Sequence, residues 1–296
     1  MSDVFPGNSE MAARMRAFDW STSPLGVPAG WPDALRTAVR ICLTSRFPMI
    51  LWWGPELRFL YNDAYLPLLG SKHPALDKPG REVWTEIWHI IGPMLDSVLS
   101  TGEATWSDDL LLPMNRHGYW EETYWTYSYS PLLDESGTVA GVFTAVSDTT
   151  DRVVGARRMA ALQDLGAQAG ATSADEAVRR IADWADRHGA DVPYVSVHLD
   201  DVADDRWPLA AVTRSGEPVV VAGVTGLPSG GWPTPPAEVM VLPLRSDAGD
   251  RPLGAAVLAA SAGRALDEDY RAFLRLVADQ CATLINGAMA YQAQRR

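Results

Sequence analysis

The chain has 296 residues, 47% apolar and 21% charged, with a formal net charge of −12. That length suits two domains, each with its own buried core, and the acidic balance argues against nucleic acid or an anionic membrane as the main partner. Met11 to Phe18 reads as one or two helical turns, followed by a Ser/Pro/Gly-rich loop from Asp19 to Gly30. Trp31-Pro32 opens a helix to about Ser45, with Pro at a first-turn position and Leu35, Val39 and Cys42 on one face. Met49–Trp53 and Leu57–Asn62 read as strands around a Gly54-Pro55-Glu56 turn, and Asn62 or Asp63 is placed to cap a helix starting at Ala64. Arg81 to Thr101 is helical with interruptions, Gly92-Pro93 being expected to break or restart it. Thr105–Met114, Glu122–Leu132 and Thr138–Ser147 complete the first set of strands. In the middle one Trp125, Tyr127 and Tyr129 alternate with Thr126 and Ser128.

Asp148 to Arg152 marks the boundary, so the expected domains are 1–150 and 151–296. The second opens with helix over Arg157–His188. Strands follow at Tyr194–Leu199 and Val219–Val221, with a short helix at Leu209–Arg214 between them. A Gly/Pro-rich loop, Ala222–Ala237, carries Trp232. Strands Glu238–Leu244 and Leu253–Ala260 then lead to a final helix from Asp267. Two stretches are near copies in plan: Pro131 to Phe143 and Pro243 to Leu258 each run strand, Asp/Gly turn, strand, and a long helix follows each. Asp closes such a turn through its side chain and Gly supplies positive φ. The expected fold is α+β, two domains each built on a central antiparallel sheet flanked by helices. Nine of the twelve tryptophans precede residue 150, so the two cores differ.

The segments Phe47-Pro48-Met49, Trp52 to Glu56, Leu57 to Tyr65, Ser130 to Val142 and Asp148-Thr149-Thr150 resemble a PAS domain. The last of these is similar to the Asp-Ile-Thr ending that couples such domains to an output helix, with Thr149 in the Ile position. Gly216 to Val220, Val241 to Leu244, Pro252-Leu253-Gly254 and Asp267 to Tyr270 resemble a GAF domain. The pairing looks like the N-terminal sensory region of soluble bacterial sensor histidine kinases. The resemblance implies a cytoplasmic relay without catalytic residues of its own, joined in the full-length protein to an output domain. That output would be a histidine kinase or, alternatively, a PP2C-type phosphatase. Nothing in the chain resembles a phospho-acceptor box or an ATP lid, so no ATP-dependent activity is expected.

The residues point the same way. The five histidines lack zinc-ligand spacing, and His89, where some PAS domains place a haem ligand, reads as a polar residue between helical segments. Cys42 and Cys281 lie in apolar helical patterns as small buried hydrophobes, and neither suits flavin or bilin attachment; no cofactor or metal is expected. Asp200-Asp201 and Asp204-Asp205 read as solvated loop acids, and Lys72 and Lys78 as an exposed loop pair with His73. Residues 1–10 lack signal-peptide features, and no run approaches about 20 apolar residues. The aromatic group Trp52, Tyr61, Trp84, Trp88, Trp125, Tyr127 and Phe143 either lines a pocket for a small planar molecule or simply fills the core. Trp232 is a lid, a partner contact or a lone surface aromatic. In the final helix Tyr270, Leu274, Val277, Cys281, Leu284, Ala288 and Tyr291 follow a heptad, the expected seam of a parallel homodimer, with Phe273, Ala278 and Ile285 on a neighbouring face. Met159, Leu162, Gly166 and Ala169 form a weaker second seam. A dimerisation scaffold without ligand is the remaining alternative.

Overall fold

A computed structural model describes residues 4–199, 204–247, 249 and 251–295. The chain divides into two compact units, Met1–Val153 and Val154–Arg296. Unit 1 begins with helix α1 (Glu10–Ala17), capped by the Ser9 side chain on the Ala12 N–H, and α2 (Asp33–Thr44). Strands β1 (Met49–Trp53) and β2 (Arg58–Tyr61), short helices α3 (Leu66–Leu69) and α4 (Gly80–Val83), and α5 (Trp88–Thr101) follow, then β3 (Thr105–Leu111), β4 (Tyr124–Leu133) and β5 (Val139–Asp148). All pairings are antiparallel, in the order β2-β1-β5-β4-β3. Trp125, Tyr127 and Tyr129 are buried on one face of β4, while Thr126 and Ser128 are half-exposed on the other. The Asp134 carboxylate accepts the Ser136 and Thr138 N–H groups, and Gly137 takes φ +81° in the β4–β5 turn.

Three local expectations are corrected. Pro32 is the residue ahead of α2, outside its first turn. The helical break falls at 84–87, and α5 runs on through Pro93. An interior proline costs about 3 kcal/mol, but Ile91, Leu95 and Val98 are buried along α5 at about 1.5–3 kcal/mol each, so packing wins. Asn62 caps nothing. It is buried, donating Nδ2 to the carbonyls of Cys42, Ser45 and Phe47 and accepting the Met49 N–H, and so pins the α2–β1 link.

Unit 2 contains most of helix α6 (Thr150–Gly166), which is continuous across the boundary, then α7 (Ala174–Arg187), β6 (Val195–Leu199), α8 (Leu209–Ser215), β7 (Val219–Ala222), β8 (Glu238–Leu244), β9 (Gly254–Ala259) and α9 (Glu268–Gln294). Its antiparallel sheet has the order β6-β9-β8-β7. The central strands are apolar nearly throughout because both faces are covered. Met240, Leu242, Ala256 and Leu258 pack in one core with α7 and α9, while Val239, Val241, Ala255 and Val257 pack with Trp207, Leu209, Val212 and Leu227. Trp232 is a docked residue rather than a lone surface aromatic: it packs on Gly263, where an added Cβ would sit 2.3 Å from the indole. Gly230 likewise presses on Gly189, so glycine sets this loop's position. The turn around Asp247 and Gly249 adjoins Ala248 and Asp250, which lie outside the described residues, as does the Asp200-Asp201 pair.

Asp77, in the link between α3 and α4, has φ +61° and is only 7% exposed, and its Oδ1 has no hydrogen-bond partner. Burial pushes this carboxyl up from its ordinary value, against the Ser23 hydrogen bond and the Arg58 charge. A raised folded pKa adds stability that is full below the unfolded pKa and is lost as pH rises through the folded one. Asp77→Asn removes the charge, and Asn tolerates left-handed backbone. It is expected to raise stability by about 1 kcal/mol at neutral pH, the gain shrinking as pH falls toward the ordinary carboxylate range. Thermal unfolding at the two pH values checks this; a less stable variant at neutral pH contradicts it.

Candidate functional site

The inner face of the unit 1 sheet carries several large aromatic side chains. Trp52 from β1, Trp125, Tyr127 and Tyr129 from β4, and Thr144 and Val146 from β5 face Tyr65, Trp84, Ile87 and Ile91 across a cavity of about 30 Å³. That is room for about one water molecule. Of the seven aromatics expected to converge, Trp52, Trp84, Trp125 and Tyr127 do so. Phe143 does not: β5 alternates Val142, Thr144 and Val146 inward, which sends Phe143 to the opposite face of the sheet. Tyr61 is buried, with its hydroxyl 2.9 Å from His73 Nδ1 and accepting the Ala75 N–H. Trp88 packs against Gly80 and Gly92 behind Trp52 and does not line the cavity.

The rings are held by directed contacts. Trp52 Nε1 donates to Thr144 Oγ1 at 2.9 Å and Trp125 Nε1 to Thr123 Oγ1 at 2.7 Å. The Trp52 ring stands edge-on to Phe59 and Tyr129, with centroids 5.0 and 6.3 Å away. Tyr127 and Tyr129 lie 4.8 Å apart, and the Tyr127 hydroxyl reaches Met94 Sδ at 3.5 Å. Burial pushes the phenols of Tyr65, Tyr127 and Tyr129 up, so all three stay neutral donors. Sequence reasoning missed Tyr65, Tyr129 and Thr144 as lining residues. The period of two had already put Tyr129 with Trp125 and Tyr127, but Thr144 carries no signal until β5 is paired with β1.

The surrounding polar groups are structural. Arg116 and Glu121 form a buried pair at 2.8 Å, with the guanidinium over Trp125. Burial pushes the Glu121 carboxyl up, but the Arg116 hydrogen bond and charge outweigh it, and the net shift is downward. Lys72 is not an exposed loop lysine: its ammonium pairs with Glu86, donates to the Val83 carbonyl and lies 5.2 Å from the Trp84 ring centroid. His89 is exposed and lies outside the cavity lining. Burial pushes the Cys42 and Cys281 thiols up to about 12, which makes both inert. Among the described residues no group of three or more His, Cys, Asp or Glu is placed to hold a metal, and no helix is long and apolar enough to cross a membrane.

The heptad residues of α9 also have a definite place. Leu274, Val277, Cys281, Leu284 and Ala288 are buried in the core of unit 2 by the chain itself, together with Phe273, Ala278 and Ile285. In this structure most of the heptad lies on the inward face of α9, while Tyr291 of the same heptad is 42% exposed. A helix lying on a sheet needs a broad apolar stripe, and here that stripe absorbs most of the heptad. The outward apolar residues are Leu276, Met289 and Tyr291 on α9 and Met159 on α6, and Gly166 is exposed on α6 as well.

The family model of the PAS fold matches residues 44–154 and that of the GAF domain matches 159–286. The chain therefore contains a PAS domain followed by a GAF domain. Among solved structures it is similar to a sensory box sensor histidine kinase from Vibrio cholerae, with 18% identity over 38% of this chain and 87% of that one and a TM-score of 0.28. It is also similar to the PAS domain of BvgS from Bordetella pertussis, with 22% identity over 44% and 97% and a TM-score of 0.33. A third likeness is to the GAF domain of an Acinetobacter phosphoenolpyruvate-protein phosphotransferase, with 15% identity over 47% and 95% and a TM-score of 0.30. No curated protein matches the chain.

The Trp52–Thr144 bond yields a direct test. Thr144→Val keeps the volume but leaves a buried indole N–H without its acceptor, which is expected to cost about 1–3 kcal/mol. Thr144→Ser retains the hydroxyl and is expected to lose less. Denaturant unfolding followed by tryptophan fluorescence ranks the two, and equal losses would mean that the hydrogen bond contributes nothing beyond packing.

Proposed function

We propose that this chain is the sensory and regulatory region of a cytoplasmic bacterial signal-transduction protein, with a histidine kinase as its output. The division of labour proposed is a sensor over 1–150 and a GAF-type relay over 151–296. The observation that carries the reading is the tandem of PAS and GAF domains in which each sheet hands its last strand to a long helix, β5 to α6 and β9 to α9. A ligand or partner favouring one packing of unit 1 would bias α6, and α9 would pass the bias onward by population shift. The ligand fitted by the Trp52, Trp84, Trp125 and Tyr127 surround is small, planar and uncharged, because every ionisable group lining the cavity is a neutral phenol.

The size of the cavity favours a second reading, a ligand-free scaffold that responds to a protein partner. At about 30 Å³ it accepts a planar molecule only if side chains from the 84–87 link and α5 withdraw. Native mass spectrometry and an absorbance scan of the purified protein separate the two. A stoichiometric adduct is expected under the first reading, and the bare chain mass of 32.2 kDa per protomer supports the second.

Function as a two-fold relay also calls for a dimer, proposed here through the outward faces of α6 and α9. Light scattering is expected to give twice the chain mass. Met159→Asp, at a 58%-exposed position, is expected to shift the protein to monomer with stability changed by no more than about 0.5 kcal/mol. Leu284→Asp, in contrast, buries a charge in the unit 2 core and should unfold that unit, at a cost of more than about 3 kcal/mol. A folded monomeric Leu284→Asp would restore the heptad face as the interface.

A further inference from the structure

The strongest feature outside the aromatic core is a charged cluster in unit 2 that no binding site uses. Arg157 and Arg158, neighbours on α6, both reach the carboxylate of Asp191, whose side chain is 3% exposed. Arg157 grips it with two bonds, Nε to Oδ2 at 2.6 Å and Nη2 to Oδ1 at 3.0 Å. Arg158 Nε adds a third, to Oδ1 at 3.0 Å. Consecutive helical residues point about 100° apart, so only a carboxylate seated in the wedge between them can take both. Arg158 also lies over ring faces, 3.9 Å from the Tyr270 centroid and 5.1 Å from that of Phe273, both on α9. Its Nη2 makes no hydrogen bond. The Tyr270 hydroxyl closes the circuit, donating to the Asp191 carbonyl and accepting the Ser261 N–H at 2.7 Å.

Helix α6, the link before β6 and the first turn of α9 are thus organised around one carboxylate. At its other end α6 is tied within unit 1. The Thr150 N–H donates to Asp148 Oδ1, Thr150 Oγ1 accepts the Tyr124 N–H, and Arg152 pairs with Asp109, which sits at φ +47° in the bulge of β3. A rotation of α6 that starts at this end would strain the three hydrogen bonds to the buried Asp191 carboxylate, unless Asp191 and Tyr270 move with it. Alanine-sized contacts such as Ala161 would let the helix slip; the clamp does not.

We propose that Arg157, Arg158, Asp191 and Tyr270 are the transmission point between the entry helix α6 and the exit helix α9. The inference rests on the relay reading above and names the positioning residues that make the relay work. Arg158 is its centre because it touches both the Asp191 carboxylate and the rings of α9.

Hydrogen exchange of the full chain, read by mass spectrometry, tests this. Asp109→Asn together with Arg152→Ala releases the start of α6, seen as faster exchange at 151–154. With the clamp intact, the amides at 271–275 are expected to exchange about fivefold faster or more, the lower end of ordinary coupling between sites. In an Arg158→Met background the same release is expected to change them less than about twofold. Arg158→Lys, which keeps the charge without the planar fork, should behave like Met. If Arg158→Met unfolds unit 2, Tyr270→Phe supplies the test, because it keeps the ring and loses the hydroxyl that links Asp191 to Ser261. An undiminished response at 271–275 in these backgrounds overturns the clamp and leaves the relay reading standing. No response in the wild-type background, with 151–154 opened, overturns both.

Discussion

Unit 1 depends on one constraint: several indole and phenol groups share a single sheet face, and each buried N–H or O–H needs a partner that does not spoil the packing. Thr144 and Thr123 supply hydroxyls to Trp52 and Trp125, and Met94 receives Tyr127. An unpaired polar group in such a place costs as much as a good apolar contact contributes, so the partners are as necessary to the core as the rings. The result is a cavity of only about 30 Å³, and enlarging it must displace whole aromatic side chains.

The same economy governs the helices that leave the two sheets. Each has to hold its own unit together with one face before another face is free for signalling. α9 spends a broad stripe on the sheet and α7, leaving Leu276, Met289 and Tyr291 outside. α6 has few buried positions and depends instead on directional ties, a carboxylate at its start and the shared Asp191 further along. Apolar packing tolerates sliding, whereas a forked guanidinium on a buried carboxylate does not. A helix held chiefly by such ties moves as a rigid lever or not at all.

Much of this was legible from local pattern. Strict alternation in β4 identified the inward face through Trp125, Tyr127 and Tyr129, because a strand's side-chain period is two whatever it packs against. The Asp134–Gly137 turn, the apolar face of α2 and the two-sheet α+β plan follow from similarly short-range rules. The failures are equally specific. Asn62 resembled a cap, yet its amide serves three carbonyls 15 to 20 residues away in sequence. Gly92-Pro93 resembled a break, but burial along α5 overrides one lost hydrogen bond.

The sequence by itself determined which residues lie on the same side of each element, since that depends only on backbone period. The tertiary structure alone decided what each side faces. Phe143 left the aromatic group when β5 paired with β1 and β4, Trp232 found Gly263 across 31 residues of chain, and most of the α9 heptad packed into the core of its own unit. A spacing of three and four fits a partner helix and a sheet equally well, and only the arrangement of distant segments determines which of them gets there first.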